Sequence, residues 1–311
     1  VAVRGVRPDL EKGGEVGYMG LALVRFAGSG QPEIGVLDQG QVVPTGLSDA
    51  SWVECVERWG AGDAELPAEG APIPVERASL LPPITDSARV FCVAQNYPAH
   101  AAEAGGASPP RPAIFLKPPS AFVGHLSTVD LPAISSFFDY EGELAVVVGK
   151  SGRSIRPEAA GSYIAGYTIG NDGSARDLQP SVLADRFQVD WFAAKAFDRG
   201  SALGPGVVRR SDVREPGRLR IRTTHNGELV QDDVTSSMHH SIEDLLAFVS
   251  GVVGLLPGDV ILTGTPAGVG KARGVAVADG DSVTVFVDGL GELRTSYAAA
   301  PGVNDIRGID E

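Results

Sequence analysis

Cysteine is nearly absent: Cys55 and Cys92 are the only two in 311 residues. Two thiols do not make a disulfide framework, and no C-x-x-C is present. Basic residues are outnumbered, 26 Lys and Arg against 39 Asp and Glu, for a formal net charge of −13. That balance argues against a nucleic-acid surface. No apolar run is long enough to span a bilayer, so no membrane partner is expected. The first residues lack the apolar core of a secretory signal, so a cytoplasmic protein is expected. Long helical patterns are few, and there is no internal repeat or low-complexity tract. What is plentiful is glycine and proline, 40 and 22 residues. With a 43% hydrophobic composition, enough for a sizeable core, this describes a chain of short strands and turns.

Residues 1–18 are polar and without period, and read as a flexible extension, with Met19 as the start of order. Residues 19–83 read as a small N-terminal, β-rich domain. It has a strand at 21–26, a strand–turn–strand over 34–44, and a helix from Ser51 to Trp59 that Gly60 ends. Residues 84–311 form the remaining, larger domain. There, Val90 to Ala94 is a buried strand that opens into Gln95-Asn96-Tyr97-Pro98-Ala99-His100-Ala101-Ala102-Glu103. Pro98 suits the first position of a short helix, which Gly105 and Gly106 stop. His100 and Glu103 are then adjacent on one face, as a surface ion pair or as a base able to take a proton from water. The glycines allow this helix to act as a lid.

The stretch Phe138-Asp139-Tyr140-Glu141-Gly142-Glu143-Leu144-Ala145-Val146-Val147-Val148-Gly149 organises the rest. Leu144 to Val148 reads as a strand buried on both faces. On a strand, residues two apart share a face, so Glu141 and Glu143 project together. Two such carboxylates are solvated, or they share a hard cation such as Mg²⁺ or Mn²⁺. A second apolar strand, Tyr163 to Gly170, breaks at Asn171-Asp172, where Asp172 can close a three-carboxylate site. Arg176 and Gln179 follow on the next turn, and an Arg suits a carboxylate ligand. Lys117 ends a strand and is fixed by two prolines. Lys195 lies in Phe192-Ala193-Ala194-Lys195. Asn226-Gly227 marks a hairpin, Ser241 caps an amphipathic helix, and Thr263-Gly264-Thr265-Pro266 forms a loop able to present N–H groups to an anion.

Together these blocks resemble the fumarylacetoacetate hydrolase family, in its acylpyruvase or fumarylpyruvate hydrolase-like branch. The matching text is Asn96-Tyr97-Pro98-Ala99-His100 through Glu103, Phe115-Leu116-Lys117-Pro118, Asp139-Tyr140-Glu141-Gly142-Glu143-Leu144, Asn171-Asp172-Gly173-Ser174-Ala175-Arg176-Asp177-Leu178-Gln179, and Pro257-Gly258-Asp259 through Gly264-Thr265-Pro266. The resemblance implies an α+β, mainly β fold, a mixed β-sheet roll with a small N-terminal β-rich domain, in a homodimer. It implies Glu141, Glu143 and Asp172 as ligands of Mg²⁺ or Mn²⁺, with Ca²⁺ as an occupant in crystals. It also implies His100, Glu103 and Lys195 as catalytic groups, and Lys117, Arg176, Gln179 and Thr265 as contacts of a small 2-oxo acid substrate.

The expected function is metal-dependent hydrolysis of a C–C bond in an acylpyruvate or related β-diketo acid. The metal would chelate the 2-oxo acid while His100, oriented by Glu103, activates water. The alternatives are decarboxylation or isomerisation of a 2-oxo diacid on the same scaffold, and a non-catalytic, metal-anchored binding protein. Gln95, Gly173, Ala194, Arg199-Gly200-Ser201-Ala202 and Met238-His239-His240 depart from the usual family text, which leaves the distal substrate pocket open.

Overall fold

The structure is a computed structural model and describes residues 20–28, 30–62, 66–183 and 186–300. The 1–18 extension and Met19 lie outside the described residues.

The strand Gly142–Val148 is buried at every position, because both of its faces are covered. Leu144, Val146 and Val148 join one core cluster with Ile221, Val283, Val285 and Tyr297 of a five-stranded sheet. Ala145 and Val147 join a second cluster with Trp52, Cys55, Val56 and Trp59 of the helix Trp52–Ala61. An alternating side-chain direction thus divides one continuous apolar run between two cores.

Around this strand runs a twelve-stranded mixed sheet. Gly142–Val148 pairs antiparallel with Ile164–Asn171 on one side and with Val260–Leu262 on the other. Val260–Leu262 pairs parallel with Val90–Ala94, and Ala113–Lys117 closes that edge. On the far side, Ile164–Asn171 pairs with Ser201–Arg209, which pairs with Ala22–Ala27. The five-stranded sheet has the order Glu228–Val234, Arg220–His225, Ser282–Val287, Gly291–Ala299, Thr128–Leu131. The expected α+β, mainly β roll is what the chain forms. The N-terminal strands extend the large sheet and form no sheet of their own.

The turn chemistry follows the sequence. Gln39-Gly40 and Asn226-Gly227 sit at positive φ in two-residue hairpin turns. Ser241 forms a capping box with Asp244 at the start of Ile242–Val252. One stop signal is misplaced. The first helix runs past Gly60 to Ala61, and Gly62 caps it at φ 78°. Gly60 is there for packing, since a Cβ would lie 2.8 Å from Ala165 Cα. Among the described residues, no helix is long and apolar enough to cross a membrane.

Candidate metal centre

Glu141, Glu143 and Asp172 are buried, and each places a carboxylate oxygen within 4.8 Å of the others. The strand pairing explains the convergence. Gly142 is in register with Asn171, so Asp172 lies beside Glu141, and its N–H donates to the Glu141 carbonyl at 2.9 Å. Asn171 Oδ1 accepts the Glu141 N–H at 3.0 Å, while its Nδ2 donates to Tyr297 Oη at 2.8 Å. Asn171 was not singled out from the sequence, although its place between a strand and Asp172 is the signal for such a brace.

Three buried cations surround the acids. Lys117 Nζ donates to Asp172 Oδ1 at 2.5 Å, Ser201 Oγ at 2.6 Å and the Gly173 carbonyl at 3.1 Å. An ammonium has three donors, so Lys117 has all of them engaged, one on Asp172. Lys195 Nζ bridges Glu141 Oε2 at 2.8 Å and Asp172 Oδ2 at 2.7 Å. Arg176 donates from Nε to Asp139 Oδ2 at 2.8 Å, and its Nη2 lies 2.6 Å from Glu141 Oε1. That second contact is an ion pair without hydrogen-bond alignment. Asp139, a fourth buried acid, also accepts N–H groups from Gly270 at 2.7 Å and Lys271 at 3.0 Å.

Four acids and three bases leave this cluster at −1. Burial raises the Glu141 carboxyl, but Lys195 and then Arg176 outweigh it and hold it far below the ordinary carboxylate range. Glu143 behaves oppositely. Burial, then Asp172 and Glu141, push its carboxyl well above the ordinary range. Among the described residues no cation contacts it, and its one hydrogen bond comes from Gly264 N–H at 2.7 Å. A buried carboxylate in that setting calls for a proton or a cation. The all-oxygen donor set fits a hard dication, which would bring the cluster to +1. The acids thus fit Mg²⁺ or Mn²⁺, with Glu143 as the ligand that most needs it.

The short helix Pro98–Glu103 is packed down, with His100 and Ala101 buried. His100 lies within electrostatic reach of Glu141 and Arg176. Burial comes first in lowering its imidazole value, with Arg176 reinforcing and Glu141 and Glu103 opposing. His100 Nδ1 is 3.5 Å from Glu103 Oε2, too long for a well-formed hydrogen bond, and has no other partner. The Glu103 carboxylate instead accepts the Gly268 N–H, at 2.8 and 3.1 Å to its two oxygens.

The remaining expected residues are placed differently. Thr265 is buried, and its hydroxyl donates to the Gly142 carbonyl at 2.9 Å. Gln179 is half-buried just before the hairpin of Pro180–Leu183 and Arg186–Val189, and its carbonyl accepts the Asp190 N–H at 2.9 Å. The structure thus brings Glu141, Glu143, Asp172, Lys117, Arg176 and Lys195 into one cluster, within reach of His100. It turns Lys117 and Thr265 toward groups of the chain itself.

Comparison with known proteins follows the same line. The fumarylacetoacetate (FAA) hydrolase C-terminal family matches residues 89–297. The chain is 41% identical over 232 residues to a Homo sapiens protein named oxaloacetate tautomerase FAHD2A, mitochondrial, covering 74% of this chain and 71% of that one. Among solved structures, 2-hydroxyhepta-2,4-diene-1,7-dioate isomerase from Mycobacterium marinum matches with a TM-score of 0.72 at 33% identity, covering 91% of this chain and 100% of the other. Maleylpyruvate hydrolase from Sphingobium sp. SYK-6, solved with manganese(II) and pyruvate, matches at 0.73 and 28% identity, covering 90% and 100%.

Proposed function

The chain belongs to the fumarylacetoacetate hydrolase family, and from that premise we propose a divalent-metal-dependent enzyme that interconverts the keto and enol forms of a small 2-oxo diacid. The observation that carries this reading is the buried triad in which Glu143 alone lacks a cationic partner, with a neutral His100 in reach of the same cluster. A metal bound by Glu141, Glu143 and Asp172 would supply Lewis acidity to a 2-oxo carboxylate. His100 is the base for the proton on the carbon beside the keto group. With its Nδ1 side facing Glu103, the tautomer protonated there leaves Nε2 as the basic nitrogen. Lys195 and Arg176 hold Glu141 ionised, and Lys117 donates to Asp172. The +1 balance of the metal-loaded cluster favours an anionic substrate.

Oxaloacetate-type tautomerisation is placed ahead of hydrolysis because a relative 41% identical carries that activity in its name. Hydrolysis of an acylpyruvate is the second reading, supported by the likeness to maleylpyruvate hydrolase and by a buried His100 within electrostatic reach of the cluster. The test is enol decay of oxaloacetate and product release from an acylpyruvate, both at saturating Mg²⁺. Wild type should accelerate enol decay, and His100→Ala should lower kcat by ~10²–10⁴-fold, the usual contribution of a positioned base. Cleavage of the acylpyruvate without tautomerase activity would replace the first reading by the second.

A further inference from the structure

On the Val260–Leu262 side the β-ladder runs out before it reaches the ligand pair, while the ladder with Ile164–Asn171 continues to Gly142. Val260–Leu262 pairs with Ala145 to Val147, and Thr263 still reaches the Leu144 carbonyl through its N–H at 3.0 Å and its hydroxyl at 2.9 Å. Gly264 then turns at φ +94° and gives its N–H to Glu143. Beyond it the chain has left the strand, yet Gly142, between Glu141 and Glu143, still has polar groups to satisfy.

Side chains take over from the missing strand. Gln231, only 1% exposed on Glu228–Val234 of the five-stranded sheet, accepts the Gly142 N–H on Oε1 at 3.1 Å. Its Nε2 donates to Thr265 Oγ1 at 2.8 Å and to the Pro266 carbonyl at 2.8 Å. Thr265 Oγ1 in turn donates to the Gly142 carbonyl. The ring closes: Gln231 to Gly142 N–H, Gly142 carbonyl to Thr265, Thr265 back to Gln231.

We propose that Gln231 is a positioning residue of the metal centre, setting the angle between Glu141 and Glu143 by clamping the glycine that joins them. The proposal rests on the metal-centre reading above. Rotation about the Gly142 backbone swings one carboxylate against the other, and glycine resists such rotation least. No side chain can stiffen the position from within, because a Cβ there would meet Thr223 Oγ1 at 2.2 Å. Beyond the pairing with Ile164–Asn171, the constraint on the Gly142 N–H therefore comes from outside, from an amide on the facing sheet. A leucine would fill the same space between the sheets, so volume alone does not call for an amide. Each bond of the Gln231 side chain goes to residues 142, 265 or 266, and so to the ligand pair or to the loop that gives an N–H to Glu143. The ring also fixes what Thr265 offers: its proton goes to Gly142, so toward any ligand the hydroxyl acts as an acceptor.

The experiment is a titration of the purified full chain with Mn²⁺, following the EPR signal of the free ion, with circular dichroism to check folding. Gln231→Leu should weaken Mn²⁺ binding by ~10–100-fold, the usual effect of losing a group that orients metal ligands. Thr265→Val should weaken it too, and the double variant should be no worse than the weaker single one, because all three break one ring. A folded Gln231→Leu with wild-type affinity overturns the proposal, as do losses that simply add. If Gln231→Leu does not fold, Thr265→Val decides by the same criterion. Wild type that takes up no Mn²⁺ overturns the metal centre itself and the assignment with it.

Discussion

Glu143 and His100 carry opposite burdens from burial. The Glu143 carboxyl is raised, with burial first and then Asp172 and Glu141 as causes. A carboxyl raised in the folded state adds stability below the unfolded glutamate value, about 4.3, and that contribution is lost as pH climbs through the raised value. With chelator present, thermal stability should therefore fall as pH rises above the ordinary glutamate range. A dication replaces the proton, so the increase in Tm on adding Mg²⁺ should grow with pH. Melting curves across pH, with EDTA and with MgCl₂, test this; a metal increment independent of pH would refute it. For His100, burial leads the lowering. The acid limb of the kcat/KM profile should then lie below the unperturbed histidine value of about 6.5. A limb at or above that value would remove His100 as the buried base.

Two elements act through close contacts that a sequence pattern does not display. In the helix Trp52–Ala61, Gly60 touches Ala165 of a central strand. On intrinsic propensity, Gly60→Ala would stabilise an exposed helix by about 1 kcal/mol. Here the added methyl meets backbone, so the expected sign is reversed, with Tm lowered by several degrees. Calorimetry showing a higher Tm would mean the helix can lift off its strand at no cost. The short helix Pro98–Glu103 is tied down by the Glu103 carboxylate on Gly268 N–H. Glu103→Ala should raise amide hydrogen exchange across residues 98–106 while Mn²⁺ affinity stays close to wild type. Unchanged exchange would mean that packing of Tyr97 and Ala101 alone holds the helix. Gly173 and Gly200 also meet in one close contact, since a Cβ at Gly173 would lie 1.8 Å from the Gly200 carbonyl oxygen.

Over the whole molecule, the continuity of the twelve-stranded sheet matters most. Ala22–Ala27 covers the edge of Ser201–Arg209, and Arg25 pairs with Asp49 while donating to the Pro82 carbonyl at 2.8 Å. A truncated chain of residues 84–311 would bare that strand edge and the apolar face covered by Trp52 and Trp59. It should be insoluble or melt well below the full chain. A soluble fragment with the full chain's Tm would show that the N-terminal strands are an independent unit.

The sequence by itself determined the acids, the bases and the local geometry. Glu141 and Glu143 share a face because a strand alternates, Asp172 follows a strand end, and the Asn226-Gly227 and Ser241 signals act over a few residues through backbone sterics and capping. Pro98 and the Gly105-Gly106 stop placed His100 and Glu103 on one short helix. Tertiary structure decided which partners these groups take. Gly60 reads as a stop but lies against a strand, Lys117 directs its donors to Asp172, Ser201 and Gly173, and Glu103 accepts the Gly268 N–H. Gln231 carries no motif at all. Its three bonds reach residues 34 to 89 positions away in the chain, and only the packing of one sheet on the other brings such partners within hydrogen-bond range.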